Sequence, residues 1–347
     1  MLSLKSNPDY GRVDIRVTFR VGLPRTRRRK IEDRHRPWIP SLNYGFIRAR
    51  QLDGTLFQGP RKGSYVLTAA RVCAGWGSVS AQRWPRHKGD PWPPPEPPGL
   101  DEIARHNRWL GYFSARNLNE ICTCLDHGLS VQIALPIHSG WSRSSSGVVE
   151  VPKRGEAFTE NHSVVLDGFD EQVGLFRFWN NWGSNWGDGG YGYLPFDYAR
   201  EHIYEAWIAI PERIDAPIRE WRFPFTGCCE RGADRICLGH VWARINTWDL
   251  GRDVRTGWCF AVVRDGWFEI EDFFIRPDSR EPGTFAHLLR EVTESAHFFG
   301  CRRIRFWIPH ADASAKGGNF ATVNDVIRAF RLKVRKSEAR WAAYCAE

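Results

Sequence analysis

Apolar residues recur at helical spacing in two stretches after Pro40. They fall at Phe46 and Ala49 in SLNYGFIRARQLDG, and at Tyr65, Ala69 and Val72 in GSYVLTAARV behind Gly63-Ser64, which predicts two helices. The Pro-dense PWPPPEPP, Pro91 to Pro98, predicts an extended loop. LNEICTCLDHG predicts a helix stopped at Gly128, and SVQIALPI alternates as a strand. Two short strands, HSVVLDGFD and GLFRFWNNWG, lead into a Gly-rich run ending in YGYLPFDYA, and the strand YEAWIAI reaches Pro211. Beyond it come three strand-like runs, ICLGHVWARI, GWCFAVV and WFEIEDFFI. The helical stretch TFAHLLREVTESAHFFG, the strand RRIRFWIP, a helix at ATVNDVIRAF and a last strand ARWAAYCA complete the chain. Strands followed by alternating helix and strand predict a second, α/β unit.

The chain has 347 residues, which at roughly 100 to 200 residues per domain predicts two. The pattern divides it into a segment 1–39, a first domain 40–211 and a second domain 218–347, with Pro and polar residues between Pro211 and Pro217 at the break. A hydrophobic fraction of 42% with 17 Trp excludes a disordered chain. No apolar run has the length of a membrane span, and MLSLKSNPDY lacks a signal-peptide core, so the expectation is a cytoplasmic protein with no membrane partner. Seven of the residues from Arg25 to Arg36 are Arg or Lys, against Glu32 and Asp33, and carry over half of the net charge of +9. No aromatic interleaves this run, so it reads as a solvated basic segment and no nucleic acid is expected. The nine Cys include the adjacent Cys228 and Cys229 but no CxxC pairs with metal-ligand spacing, which argues against a zinc site or a disulfide framework.

Candidate chemistry in the first domain centres on His162, at a strand start, and on Asn180, 18 residues later. A lone His there is commonly structural. A His held by an amide oxygen beneath a Trp ring is instead the base-and-orienter half of a cysteine nucleophile system. Asn161-His162-Ser163-Val164-Val165 with Gly168-Phe169, then Phe178-Trp179-Asn180-Asn181-Trp182-Gly183-Ser184-Asn185-Trp186-Gly187-Asp188-Gly189-Gly190-Tyr191-Gly192, resembles the papain-like (C1) cysteine peptidases, over about residues 13–210. The resemblance implies an α+β papain-like fold, His162 as catalytic base, Asn180 as its orienting amide, Trp182 as the ring shielding their hydrogen bond, and a peptide or protein substrate. Asn181 stands where the family has Ser.

The same resemblance places a nucleophilic Cys roughly 130 to 150 residues before the His. Val13-Asp14-Ile15-Arg16 resembles the segment that opens the family's domain, but the chain then runs into the Arg cluster, and no Cys precedes Cys73. Cys73-Ala74-Gly75-Trp76 has the look of a nucleophile motif at the wrong distance, and the plainer reading is a buried helix-end Cys.

In the second domain, Ile275-Arg276-Pro277-Asp278-Ser279-Arg280-Glu281-Pro282-Gly283-Thr284-Phe285-Ala286 links a strand to a helix. Such a turn offers backbone N–H groups and a helix dipole to a pyrophosphate. It resembles motif A of the GCN5-related N-acetyltransferases (GNAT), which implies an acyl-CoA N-acyltransferase-like α/β fold and acetyl-CoA held at Ile275, Arg280, Gly283 and Thr284. Phe285 stands where the motif has a small residue. Glu271 reads either as a general base acting through water or as an exposed carboxylate. The expectation is thus a peptidase homologue lacking its nucleophile, fused to an acetyl-CoA-dependent acetyltransferase-like domain and using no metal. The alternative is a peptide-binding pseudo-peptidase with a non-catalytic second domain.

Overall fold

The computed structural model describes residues 40–87, 89–144, 146–211, 221–222, 229–280, 282–309, 319–337 and 341–346. The basic segment 1–39 and the expected break around 212–217 lie outside the described residues, apart from Pro211. The two expected helices are α1 (Leu42–Leu52) and α2 (Val66–Gly75). Ser41 caps α1, its Oγ accepting from the Tyr44 N–H at 3.2 Å and donating to the Trp84 carbonyl at 2.6 Å. Every residue of α2 is buried, so it is a core helix rather than an amphipathic one.

The first sheet is antiparallel: β1 (Trp109–Ser114), β2 (Val131–Ile137), β3 (Glu160–Asp170), β4 (Leu175–Trp179), β5 (Tyr191–Pro195) and β6 (Glu205–Pro211), in the order β1-β6-β2-β3-β4-β5. The helix α3 (Leu118–Asp126), N-capped by Asn117, packs against β2 and β3. β2 was expected to alternate, yet all seven of its residues are buried, because it lies between β6 and β3 with helices packed on it. YGYLPFDYA holds both β5 and a helix, α4 (Phe196–His202), that the Gly-rich pattern concealed.

The second sheet has eight strands: β7 (Trp221–Arg222), β8 (Cys229–Arg235), β9 (Val241–Asp249), β10 (Val254–Arg264), β11 (Trp267–Ile275), β12 (Arg303–Pro309), β13 (Lys333–Ser337) and β14 (Trp341–Ala346). Their order is β13-β14-β12-β11-β10-β9-β8-β7, and only β11 and β12 pair in parallel. Helix α5 (Pro282–Phe298) makes the crossover between the parallel strands β11 and β12, and α6 (Phe320–Ala329) follows β12. The run ICLGHVWARI is not one strand. Ile236 to His240 form the turn between β8 and β9, closed by the Ile236 N–H to the His240 carbonyl at 3.0 Å, with Gly239 at a φ of +77°.

Alternation along the second sheet sorts its two faces. Ala243, Ile245, Cys259, Ala261, Phe268 and Ile270 pack under Leu288, Val292 and Ala296 of α5 and Val323 and Val326 of α6. Trp242, Trp258, Phe260, Val262 and Phe274 point the other way, into the core of the first unit beside Trp76, Tyr112 and Trp207. The two sheets thus share a core across this contact, while the opposite face of the second sheet has a core of its own under α5 and α6. Two glycines allow the close approach. A Cβ on Gly75 would lie 2.7 Å from the Trp258 ring, and one on Gly111 2.5 Å from the Trp242 ring.

Polar groups across this contact are paired. Arg71 donates twice to Asp272, at 3.0 and 2.6 Å, and Tyr112 Oη donates to the same carboxylate at 2.5 Å. Arg116 bridges Glu269 at 2.5 Å and Glu271 at 2.7 Å, and Ser114 also donates to Glu271. Glu271, read from sequence as a water-facing base or an exposed carboxylate, is 2% exposed and held by these partners. Among the described residues no helix is long and apolar enough to cross a membrane.

Candidate active site

β3 and β4 form an antiparallel hairpin in which Val165 faces Trp179. This register carries Asn180, the first residue after β4, to His162 near the start of β3, and the Asn180 N–H is fixed by the Gly190 carbonyl at 3.0 Å. His162 Nε2 lies 2.9 Å from Asn180 Oδ1, and that oxygen also accepts from the Asn181 N–H at 2.8 Å. An amide oxygen only accepts, so Nε2 is the donor. A neutral imidazole in that tautomer keeps its basic lone pair on Nδ1. Both side chains are almost fully buried, and Asn180 Nδ2 has no hydrogen-bond partner among the described residues.

Aromatic rings enclose the pair. Trp182 lies over the imidazole with centroids 5.0 Å apart and planes inclined by 32°. Trp141 meets it edge-on at 5.8 Å and 86°, and itself accepts at its carbonyl from Trp186 Nε1 at 2.9 Å. Excluding water in this way strengthens the His–Asn hydrogen bond. Trp141, fully buried, went unseen in the sequence because HSGW carries no periodicity. The loop that carries Trp182 and Trp186 needs glycine at Gly187, where φ is +57° and a Cβ would sit 2.4 Å from the Tyr191 carbonyl oxygen. A cavity of about 330 Å³ opens beside Asn180, lined by Leu42, Trp179, Asn181 and Ser184 among others.

No family model matches the chain. A curated relative, an uncharacterized peptidase C1-like protein L477 of Acanthamoeba polyphaga mimivirus, is 32% identical over 75 residues. That stretch is 22% of this chain, and it spans 24%, about a quarter, of the relative's length. Among solved structures, xylellain, a cysteine protease from Xylella fastidiosa, is 20% identical with a TM-score of 0.47, over 60% of this chain and 85% of that one. Bromelain protease from Ananas comosus in complex with the E64 inhibitor is 14% identical with a TM-score of 0.40, over 59% and 92%. Digestive procathepsin L 3 of Tenebrio molitor, at 17% identity and a TM-score of 0.42 over 57% and 65%, is a further likeness of this kind.

The described cysteines sit in other elements than the hairpin bearing His162 and Asn180. Cys73 is in α2, 2% exposed, and burial pushes its thiol well above the ordinary range, the reverse of what a nucleophile requires. Cys122 and Cys124 are in α3, Cys229 in β8, Cys237 in the β8–β9 turn, Cys259 in β10 and Cys301 after α5.

The four residues expected at a coenzyme A turn lie within ten positions of one another in sequence but differ in setting. Ile275 ends β11 with its side chain 2% exposed in the core under the helices. Arg280 lies between the 3-10 turn Pro277–Ser279 and α5, and burial followed by the charge of Arg71 lowers its guanidinium below its ordinary value. Gly283 and Thr284 form the first turn of α5, and among the described residues no atom outside Gly283's own helix backbone and chain neighbours lies within 4 Å of where its Cβ would be. Phe285 is partly buried against the core, its ring 5.9 Å from that of Phe273. One further cluster, Cys229 with His287 and Glu291, has the ligand types for a metal ion. Glu291 is paired with Arg231 at 3.2 Å and His287 Nδ1 accepts from Arg290 at 2.8 Å, so cations already occupy this cluster.

Proposed function

We propose that this chain is a papain-like cysteine-peptidase homologue that keeps the base and its orienting amide but does not hydrolyse peptides, and binds peptide segments instead. The observation that carries the reading is the 2.9 Å contact between His162 Nε2 and Asn180 Oδ1 beneath Trp182, which sets the imidazole in the tautomer that accepts a proton at Nδ1. Amide hydrolysis by such a site needs a thiolate to attack the carbonyl carbon. No Cys occurs before Cys73 in the sequence, and Cys73 is held protonated by burial. The expected result with a broad fluorogenic peptide panel is no turnover above background, unchanged by a thiol-alkylating reagent and by His162→Ala. Turnover abolished by alkylation, and lost in Cys73→Ser, would overturn the reading.

The second unit is proposed to be acetyltransferase-like, with acetyl-CoA as its ligand. Support comes from β11 and β12, which pair in parallel only from Trp267 with Arg303 to Ile270 with Phe306, although β11 runs on to Ile275 and β12 to Pro309. A bulge at Glu271, where Phe260 faces Asp272 but Ala261 faces Ile270, accompanies this parting. Backbone groups freed between two strands can bind an extended amide-bearing arm, and the open first turn of α5 can take its pyrophosphate. Calorimetric titration of the full chain with acetyl-CoA is expected to give saturable heat, weakened about tenfold or more in Arg280→Ala, as loss of a charge-assisted contact predicts. No heat with the full chain would remove the ligand from this reading.

A further inference from the structure

The α3 helix of the first unit and the β8–β9 turn of the second meet at two sulfurs. Cys124 Sγ lies 3.5 Å from Cys237 Sγ, across 113 residues of sequence. Both thiols are free. Cys124 is fully buried, whereas Cys237 is half-buried in a turn that reaches solvent at Gly239. We propose that Cys124 and Cys237 form an oxidation site at which a hydroperoxide creates a disulfide joining the two units.

The two sulfurs differ in a way that assigns their roles. The S–H of Cys124, and then against the effect of burial the charge of His127 and the backbone N–H groups of Cys237 and Leu238, lower the Cys237 thiol below its ordinary value. Cys124 is raised by the same contact and by burial. Cys237, the sulfur of the pair with access to solvent, is the one that a small peroxide reaches and that attacks it as the thiolate. Its sulfur displaces hydroxide from the peroxide oxygen, giving a sulfenic acid, and the hydroxide takes up a proton to leave as water. Cys124 then attacks that sulfenic sulfur, releasing a second water as the S–S bond forms. Two thiols and one hydrogen peroxide thus give one disulfide and two waters.

The sulfurs must close to about 2.05 Å, a movement that the glycine-containing turn can supply more readily than the packed helix. Cys122 does not compete: its thiol is raised by burial and by Glu171 and Asp126, so little of it is thiolate.

Peptide mapping by mass spectrometry tests the site on the full chain. Samples are treated with graded hydrogen peroxide, alkylated and digested without reductant. A peptide linking Cys124 to Cys237 is expected to grow with peroxide and to vanish on treatment with dithiothreitol. It should be lost in Cys237→Ser and kept in Cys122→Ser. Recovery of Cys124 and Cys237 both alkylated after peroxide, or linkage of either to a different cysteine, overturns the proposal on the unsubstituted chain, whatever the folding of the variants.

Discussion

Asp272→Ala is expected to lower the unfolding free energy by about 3–5 kcal/mol, the cost of stranding one partner of a buried ion pair. Asp272 is 1% exposed and Arg71 4%, so removal of the carboxylate leaves the guanidinium with little water to replace it. The same carboxylate accepts from Tyr112 Oη at 2.5 Å and from Trp258 Nε1 at 3.3 Å, and both donors lose an acceptor together. Urea unfolding of the two proteins measures the difference. A loss under about 1 kcal/mol, the level of an exposed pair, would mean that water reaches this contact and that it does not hold the units together. The double substitution Arg71→Met with Asp272→Leu should recover much of the loss, since replacing both charges by apolar groups removes the stranded partner.

Cutting the chain between its sheets is expected to yield no stable half. Residues 221–347 alone would present Trp242, Trp258, Phe260, Val262 and Phe274 to water, five side chains that are at most 2% exposed in the whole chain. Each forfeits about 1.5–3 kcal/mol of burial, a sum of about 7.5–15 kcal/mol that is comparable to the total stability of a typical domain. Glu271 and Asp272 would at the same time lose Arg116 and Arg71. The isolated segment should aggregate or unfold without a cooperative transition, read by calorimetry and light scattering. A monomeric segment with a sharp transition would show that the second sheet's inner face tolerates water and that the shared core adds little.

What the sequence discloses here depends on how local each constraint is. His162 and Asn180 are legible because a single hairpin brings them together and the loop around Trp182 has glycines where the backbone must pass close to itself. Trp141 is not, since it reaches the imidazole from an irregular stretch whose spacing carries no period. The helices and most strands follow from periodicity, but ICLGHVWARI conceals a turn because apolar Ile236, Cys237 and Leu238 lead directly into Gly239. The largest omission is the union of the two units. In WFEIEDFFI the acidic positions Glu269, Glu271 and Asp272 look like a solvent-facing edge, and alternation cannot distinguish water from a guanidinium as the partner of a carboxylate. Arg71 and Arg116 lie too far away in sequence to signal that role.

The hydrogen bond from Trp258 to Tyr112 joins residues 146 positions apart. During synthesis at about 5–20 residues per second, Tyr112 leaves the ribosome roughly 7–30 s before the strand that covers it exists. Trp76 and Tyr112 spend that whole interval without their native cover, and Trp207 joins them for its last third. The nascent chain thus bears apolar surface before its cover is made, and codon choices that slow translation between β6 and β10 would lengthen that exposure.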